Sequence, residues 1–161
     1  MLVLGMTLAT LAMAGRIWCS LFIAGRKNST LVTDGPYALT RNPLYFFSLV
    51  GAVGVALAGG VLSVALLLVA GFALYYPAVI RREEAVLRAR HGQAFLDYCA
   101  SVPVFWPRWG GTAAPDQWLC HPRIFVRHLG SALWFPIACA LVHSAVALAA
   151  TYGLPVWMVL P

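Results

Sequence analysis

Charge is what this sequence has least of. Asp, Glu, Lys and Arg make up only 10% of its 161 residues, and just five of these are carboxylates. A water-soluble domain carries about a quarter charged residues. So few charges cannot clothe a water-facing surface, which excludes an ordinary soluble enzyme. Cysteine is also sparse. Cys19, Cys99, Cys120 and Cys139 form no CxxC pair, so neither a disulfide framework nor a structural metal site is expected. Cys99 and Cys120 with His91 and His121 lack metal-ligand spacing. A basic leader is missing as well. Ala12-Met13-Ala14 looks like a cleavage site, but no basic stretch precedes it and the apolar run resumes after Arg16. Met1 to Gly15 is therefore expected to remain as part of a membrane helix.

Apolar residues fill the space that charge leaves. They make up 61% of the chain, and the mean hydropathy is +0.82. Four apolar segments stand out: residues 2–24, 44–58, 61–80 and 129–150. A helix needs about 20 residues to cross ~30 Å of hydrocarbon. The first, third and fourth segments are long enough, and the second is short. Gly59-Gly60 makes an uncharged turn between the second and third, so these two are expected to form a tight helical hairpin. Gly51, Gly54, Val55 and Ala58 are slim enough to let helix backbones approach closely. The fold class expected is an all-α integral membrane protein of about four transmembrane helices, with a cytoplasmic amphipathic helix over residues 81–100, broken near His91-Gly92. In that helix Glu84 is placed to pair with Arg88 one turn on. The whole chain, 1–161, reads as one membrane domain: a core over 16–107, an interfacial loop over 108–128, and a further membrane helix with an aromatic tail over 129–161.

The net charge of +6 has two readings, nucleic-acid binding or membrane orientation. The second accounts for where the charges lie. Arg26, Lys27 and Arg41 follow the first segment, and Arg81, Arg82, Arg88, Arg90, Arg108, Arg123 and Arg127 follow the third. The hairpin turn carries none. By the positive-inside rule both basic regions face the cytoplasm. The partner expected is thus the lipid bilayer, with no nucleic acid.

Three clusters go beyond what spanning a membrane requires. They are Thr30-Leu31-Val32-Thr33-Asp34-Gly35-Pro36-Tyr37, Arg41-Asn42-Pro43-Leu44-Tyr45, and Arg81-Arg82-Glu83-Glu84 with Leu87, Gly92, Tyr98 and Pro103 beyond it. The hairpin returns the chain to its starting face, so all three are expected at one depth on one side. Each has a plain structural reading. Asn42-Pro43 suits a helix start, Gly35-Pro36 a turn, and Glu83-Glu84 a solvated helix segment. Together they suit a cationic cofactor. Tyr37 and Tyr45 offer ring faces to a sulfonium, and Glu83 can accept hydrogen bonds from a ribose or an ammonium. Arg16 stands apart. An Arg in the middle of a membrane helix costs about 2.5–3.5 kcal/mol on insertion scales. It either snorkels to the interface or faces the bundle, pairing with an acid or a substrate anion.

In the order and spacing of these motifs the chain resembles the isoprenylcysteine carboxyl methyltransferase and phospholipid methyltransferase superfamily. Leu31-Val32-Thr33-Asp34-Gly35-Pro36-Tyr37 stands where that family has Leu-Val-x-x-Gly-x-Tyr, and Arg41-Asn42-Pro43-Leu44-Tyr45 where it has Arg-His-Pro-x-Tyr. The hairpin, Glu83-Glu84-Ala85-Val86-Leu87, His91-Gly92, Tyr98 and Val102-Pro103 follow in the family order. The match covers about residues 16–107. The resemblance implies S-adenosyl-L-methionine (AdoMet) as cofactor, held by Thr30, Leu31, Val32, Tyr37, Asn42, Pro43, Leu44, Tyr45 and Glu83. It implies Arg41 and Glu84 as the residues serving the chemistry, and Arg16 and Arg82 as those meeting a lipid-like acceptor. Three positions depart from the family pattern. Asn42 replaces a His and cannot titrate, His91 replaces a Phe, and Val79 stands where the prenylcysteine enzymes place a substrate-facing Arg. Two other functions share these features: an NADPH-dependent reductase of the sterol-reductase type, and a non-catalytic membrane scaffold.

Overall fold

The computed structural model describes residues 1–26, 30–108, 110 and 121–152. These residues form six helices and no strand: α1 (Leu2–Ile23), α2 (Pro36–Leu39), α3 (Pro43–Ala58), α4 (Leu62–His91), α5 (Gln93–Ser101) and α6 (Pro122–Thr151). Helices α1, α4 and α6 are long and apolar enough to cross a membrane, and α3 is a shorter apolar helix. Large apolar side chains point outward, with Leu67 71% and Leu74 83% exposed. A chain that turns Leu outward over most of a 30-residue helix has lipid as its solvent. The protein is an integral membrane protein of all-α fold.

Helix α3 is the centre of the bundle. At 16 residues it extends only ~24 Å, and it packs against α1, α4 and α6, while α1 also packs against α6. The slim residues explain how α1 and α3 come so close. A Cβ on Gly5 would lie 2.5 Å from the Ala58 nitrogen, and one on Gly54 would lie 2.8 Å from the Gly5 carbonyl oxygen. Ala9 and Ala58 complete this contact, with Cys139 of α6 in the same cluster. The slim face of α3 thus belongs to α1 and α6 rather than to its hairpin partner α4, and Gly51 faces the Phe135 ring of α6. Without bulk water to drive helices together, backbone proximity is the main source of attraction. Gly54→Val is therefore expected to force α1 and α3 apart, at a cost on the order of 3 kcal/mol. A lowered unfolding temperature in detergent checks this.

Two boundaries differ from expectation, for one reason. Hydropathy marks where a helix leaves lipid, not where its hydrogen bonds stop. The third apolar segment does not end at Ile80 before a separate amphipathic helix. It continues unbroken as α4 to His91, and the chain turns at Gly92, whose φ of +54° favours glycine. Only α5 is a separate helix. Likewise the fourth segment starts at Pro122 rather than near Leu129. Pro122 suits a first helical turn, and Arg123 and Arg127 ride on that turn's polar extension, so residues 122–128 are helix rather than loop. The rest of the interfacial stretch (109 and 111–120), Lys27, Cys120 and the aromatic tail from residue 153 lie outside the described residues.

Candidate functional site

Helix α4 packs on α3 and α5, and no Cα of it comes within 8 Å of α1 or α6. Because α4 leans away, a cavity of about 620 Å³ opens between it and the rest of the bundle. That volume suits a cofactor-sized ligand. The segment joining α1 to α3 forms one wall, contributing Thr30, Leu31, Val32 and Tyr37. The start of α3 follows with Arg41, Asn42, Pro43, Leu44 and Tyr45. Opposite them α4 brings Arg82, Glu83 and Glu84. Arg16 reaches the cavity from α1. Every residue that the resemblance assigns to cofactor, chemistry or acceptor lines this one space, whereas Asp34, Gly35, Arg81 and Pro103 of the same clusters do not.

Hydrogen bonds show how the loop between α1 and α3 is held. The buried Thr40 hydroxyl lies within hydrogen-bond distance of both the Val104 and Phe105 carbonyls, at 3.2 and 3.0 Å. Asn42 Nδ2 donates to the Val104 carbonyl at 2.9 Å, and the Arg41 N–H donates to the Pro103 carbonyl at 2.9 Å. Tyr98 Oη donates to the Tyr37 carbonyl at 2.7 Å. Burial raises the Tyr98 phenol well above its ordinary range, so it remains a donor at neutral pH. Residues 103–105 thus give the site a strap of carbonyls that fixes residues 40–42, while the Tyr98 hydroxyl holds Tyr37. Asn42 is not a helix cap in the usual sense, because its side chain makes no cap bond and is committed to this strap.

Two acidic residues divide the α4 wall. The Tyr45 hydroxyl lies beside the Glu83 carboxylate, and the Tyr45 ring meets Tyr76 edge-on with centroids 4.9 Å apart. Glu84 turns toward Arg41, with Arg41 Nη1 and Glu84 Oε1 3.3 Å apart. The partner of Glu84 is therefore Arg41, 43 positions earlier, rather than the Arg88 that helical spacing suggests. Proximity to a distant cation won because the carboxylate points into the cavity.

Among the described residues, four buried side-chain atoms make no hydrogen bond: Arg16 Nε, Tyr37 Oη, Arg41 Nε and Glu84 Oε1, the last of them ion-paired with Arg41. All four belong to cavity-lining residues. Burying such groups unsatisfied is costly, and a polar ligand would relieve that cost. Of these, Tyr37 Oη stands with Tyr45 and Glu83 in the motif layer, which offers a hydroxyl, ring faces and a carboxylate to a cation bearing hydroxyl and amine groups, so the residues present fit AdoMet. Sequence reasoning missed Ser48, Tyr76, Arg90, Phe95 and His128 as cavity residues. For two of these the signal existed. Tyr76, Glu83 and Arg90 recur every seven residues along α4, which puts them on one helix face.

A profile of the phospholipid methyltransferase family matches residues 1–94. The chain belongs to the phospholipid methyltransferase family. The match spans the first two cavity walls and the acidic pair of α4, while α5 and α6 lie outside it. The chain is also 42% identical over 144 residues to the cobalt-zinc-cadmium resistance protein CzcN of Cupriavidus metallidurans, covering 89% of this chain and 66% of that protein. It is 40% identical over 162 residues to the nickel-cobalt-cadmium resistance protein NccN of Alcaligenes xylosoxydans xylosoxydans, covering all of this chain and 75% of that protein. The chain thus spans about two thirds to three quarters of the length of these relatives. No solved structure matches it.

Proposed function

We propose that this protein is an AdoMet-dependent methyltransferase that acts on a lipid-like acceptor, with its cavity on the cytoplasmic side of the membrane. The observation that carries the reading is the convergence of the three motif clusters on one cavity lined by buried polar atoms that make no hydrogen bond. The basic residues flanking that end of the bundle support its cytoplasmic orientation.

Bound AdoMet supplies a methyl group on a sulfonium, which an acceptor lone pair displaces in line, with the C–S electron pair leaving on sulfur. The chain's own residues need to bind, align and exclude water. Glu83, beside the Tyr45 hydroxyl, would accept hydrogen bonds from the cofactor's ribose or ammonium. The paired Tyr45 and Tyr76 rings present aromatic surface to positive charge. Arg41 and Glu84 form a neutral ion pair through Arg41 Nη1 and Glu84 Oε1, which leaves Arg41 Nε for the reacting groups. The names of the two relatives concern resistance to heavy-metal cations, and we read the methylation as serving that setting.

The test is direct binding to the purified full chain in detergent. AdoMet is expected to bind by calorimetry, and labelled methyl from AdoMet to enter a lipid fraction of a membrane extract. NADPH binding in place of AdoMet would turn the reading to a reductase, for which Arg41 and Arg82 would face the 2′-phosphate. Binding of neither would leave a scaffold.

A further inference from the structure

The cavity has a second layer of polar residues set into the bundle. Arg16 lies seven residues inside the cytoplasmic-side end of α1, Ser48 five residues inside that of α3, and His128 six inside that of α6. Tyr76 lies seven residues before Glu83 on α4. At 1.5 Å per residue each is ~8–10 Å deeper along its helix than the motif layer above. Four helices thus contribute one polar residue each at a common depth, where a packed apolar bundle needs none.

Arg16 is the charge in this layer. Its Nη1 donates to the Ser48 hydroxyl, and its Nη2 to the Ser131 hydroxyl at 3.2 Å. Both hydroxyls spend their own proton on a helix carbonyl, Ser48 on Leu44 at 2.6 Å and Ser131 on His128 at 2.8 Å. They therefore turn lone pairs toward the guanidinium. The Phe135 ring lies 5.7 Å from Arg16 Cζ. These contacts hold the fork of the guanidinium in place but carry no negative charge. Among the described residues no carboxylate pairs with Arg16, and its Nε is buried without a partner. The structure thus decides against snorkelling: this Arg faces the bundle.

A fixed, desolvated guanidinium without a counter-charge is a receptor for an oxyanion. Helix α6 supplies Ser131, Phe135 and His128 to it, and α6 lies beyond the residues matched to the family. Because α4 does not approach α6, the layer is open sideways between these helices, toward lipid.

We infer that Arg16, clamped by Ser48 and Ser131, is a subsite for a non-reacting oxyanion (a phosphate or carboxylate) on an amphiphile that enters between α4 and α6. The inference rests on the proposed methyltransferase reading for what the amphiphile does, but not for whether it binds. Helix α6 is then the element that selects the acceptor.

Native mass spectrometry of the full chain, released from vesicles of equal phosphatidylglycerol and phosphatidylcholine, tests it. The wild type is expected to retain the anionic lipid about tenfold over the zwitterionic one. Arg16→Gln is expected to abolish that preference, and Ser131→Ala, which only loosens the clamp, to reduce it about threefold. AdoMet affinity, measured separately, is expected to change less than about twofold in both. An unchanged lipid preference in both variants overturns the inference. So does a loss confined to AdoMet affinity, which would make Arg16 the partner of the cofactor's carboxylate. Full displacement of the lipid by millimolar inorganic phosphate overturns the amphiphile and leaves a free-anion site. If the wild type binds anionic lipid through Arg16 but no AdoMet, the methyltransferase reading fails while the subsite stands. Should Arg16→Gln not fold, judged by circular dichroism, Ser131→Ala decides alone.

Discussion

Glu83→Ala is expected to weaken AdoMet binding by between about tenfold and a hundredfold. A hydrogen bond to a charged acceptor is worth about 1.5–3 kcal/mol, and each 1.4 kcal/mol is about a factor of ten. Glu83 is the cavity carboxylate beside the Tyr45 hydroxyl, and Ala leaves no acceptor in its place. Two changes at Tyr45 separate orientation from ring contact. Tyr45→Phe keeps the ring against Tyr76 and removes only the hydroxyl beside Glu83, so a loss of a few fold is expected. Tyr45→Ala removes the aromatic face as well and is expected to lose about tenfold more, in line with cation–π contributions of up to ~2 kcal/mol in a desolvated site. Calorimetry on the detergent-solubilised protein reads all three. Wild-type affinity in both Glu83→Ala and Tyr45→Ala would remove the cofactor from this cavity.

Arg41→Ala and Glu84→Gln are expected to act on rate rather than on cofactor affinity. The Arg41–Glu84 pair has side chains only 11% and 21% exposed, so each residue neutralises the other in a largely enclosed place. Removing one partner leaves an uncompensated charge, which is far more costly than never having had the pair. Preorganised polar groups at a reacting centre contribute factors of about 10²–10³ in turnover. Methyl transfer in either variant is expected to fall by about that much, while AdoMet binding stays within about threefold. The charge-swapped Arg41→Glu, Glu84→Arg double variant restores neutrality but places the guanidinium on α4 instead of at position 41, so folding is expected to recover further than activity. Retention of most activity in Arg41→Ala would reduce the pair to a structural tie.

The site was legible where identity and order sufficed. Tyr37, Arg41, Tyr45 and Glu83 stand out because apolar spans have no use for them, and the uncharged turn at Gly59-Gly60 brings their segments back to one face. Tyr76 and Arg90 could have been read from their seven-residue spacing with Glu83. Other residues left no such trace. Nothing local distinguishes Ser48 or His128 from ordinary helix residues, and nothing links Thr40 to the carbonyls of Val104 and Phe105 more than sixty residues away. The i,i+4 spacing of Glu84 and Arg88 pointed to a surface pair. Tertiary structure instead offered Arg41 across a cavity, where reduced solvent screening strengthens the attraction between charges.

What the sequence by itself determined is the solvent and the apolar helices that meet it. A chain this poor in charge and this rich in apolar runs has to satisfy its backbone inside lipid, and only helices do so within single segments. It also determined which polar residues share a membrane face, because a hairpin of two spans returns the chain to its starting side. Tertiary packing alone decided the shape of the space between those residues. The close approach of Gly5 to Gly54 and Ala58 draws α1 and α3 together, and α4, lacking any such contact with α1 or α6, is left standing off to make a cavity. The fate of Arg16 was decided the same way. Its charge is visible in the sequence, but whether it reaches for water or for the bundle depends on two serines from α3 and α6 that only the folded chain brings to it.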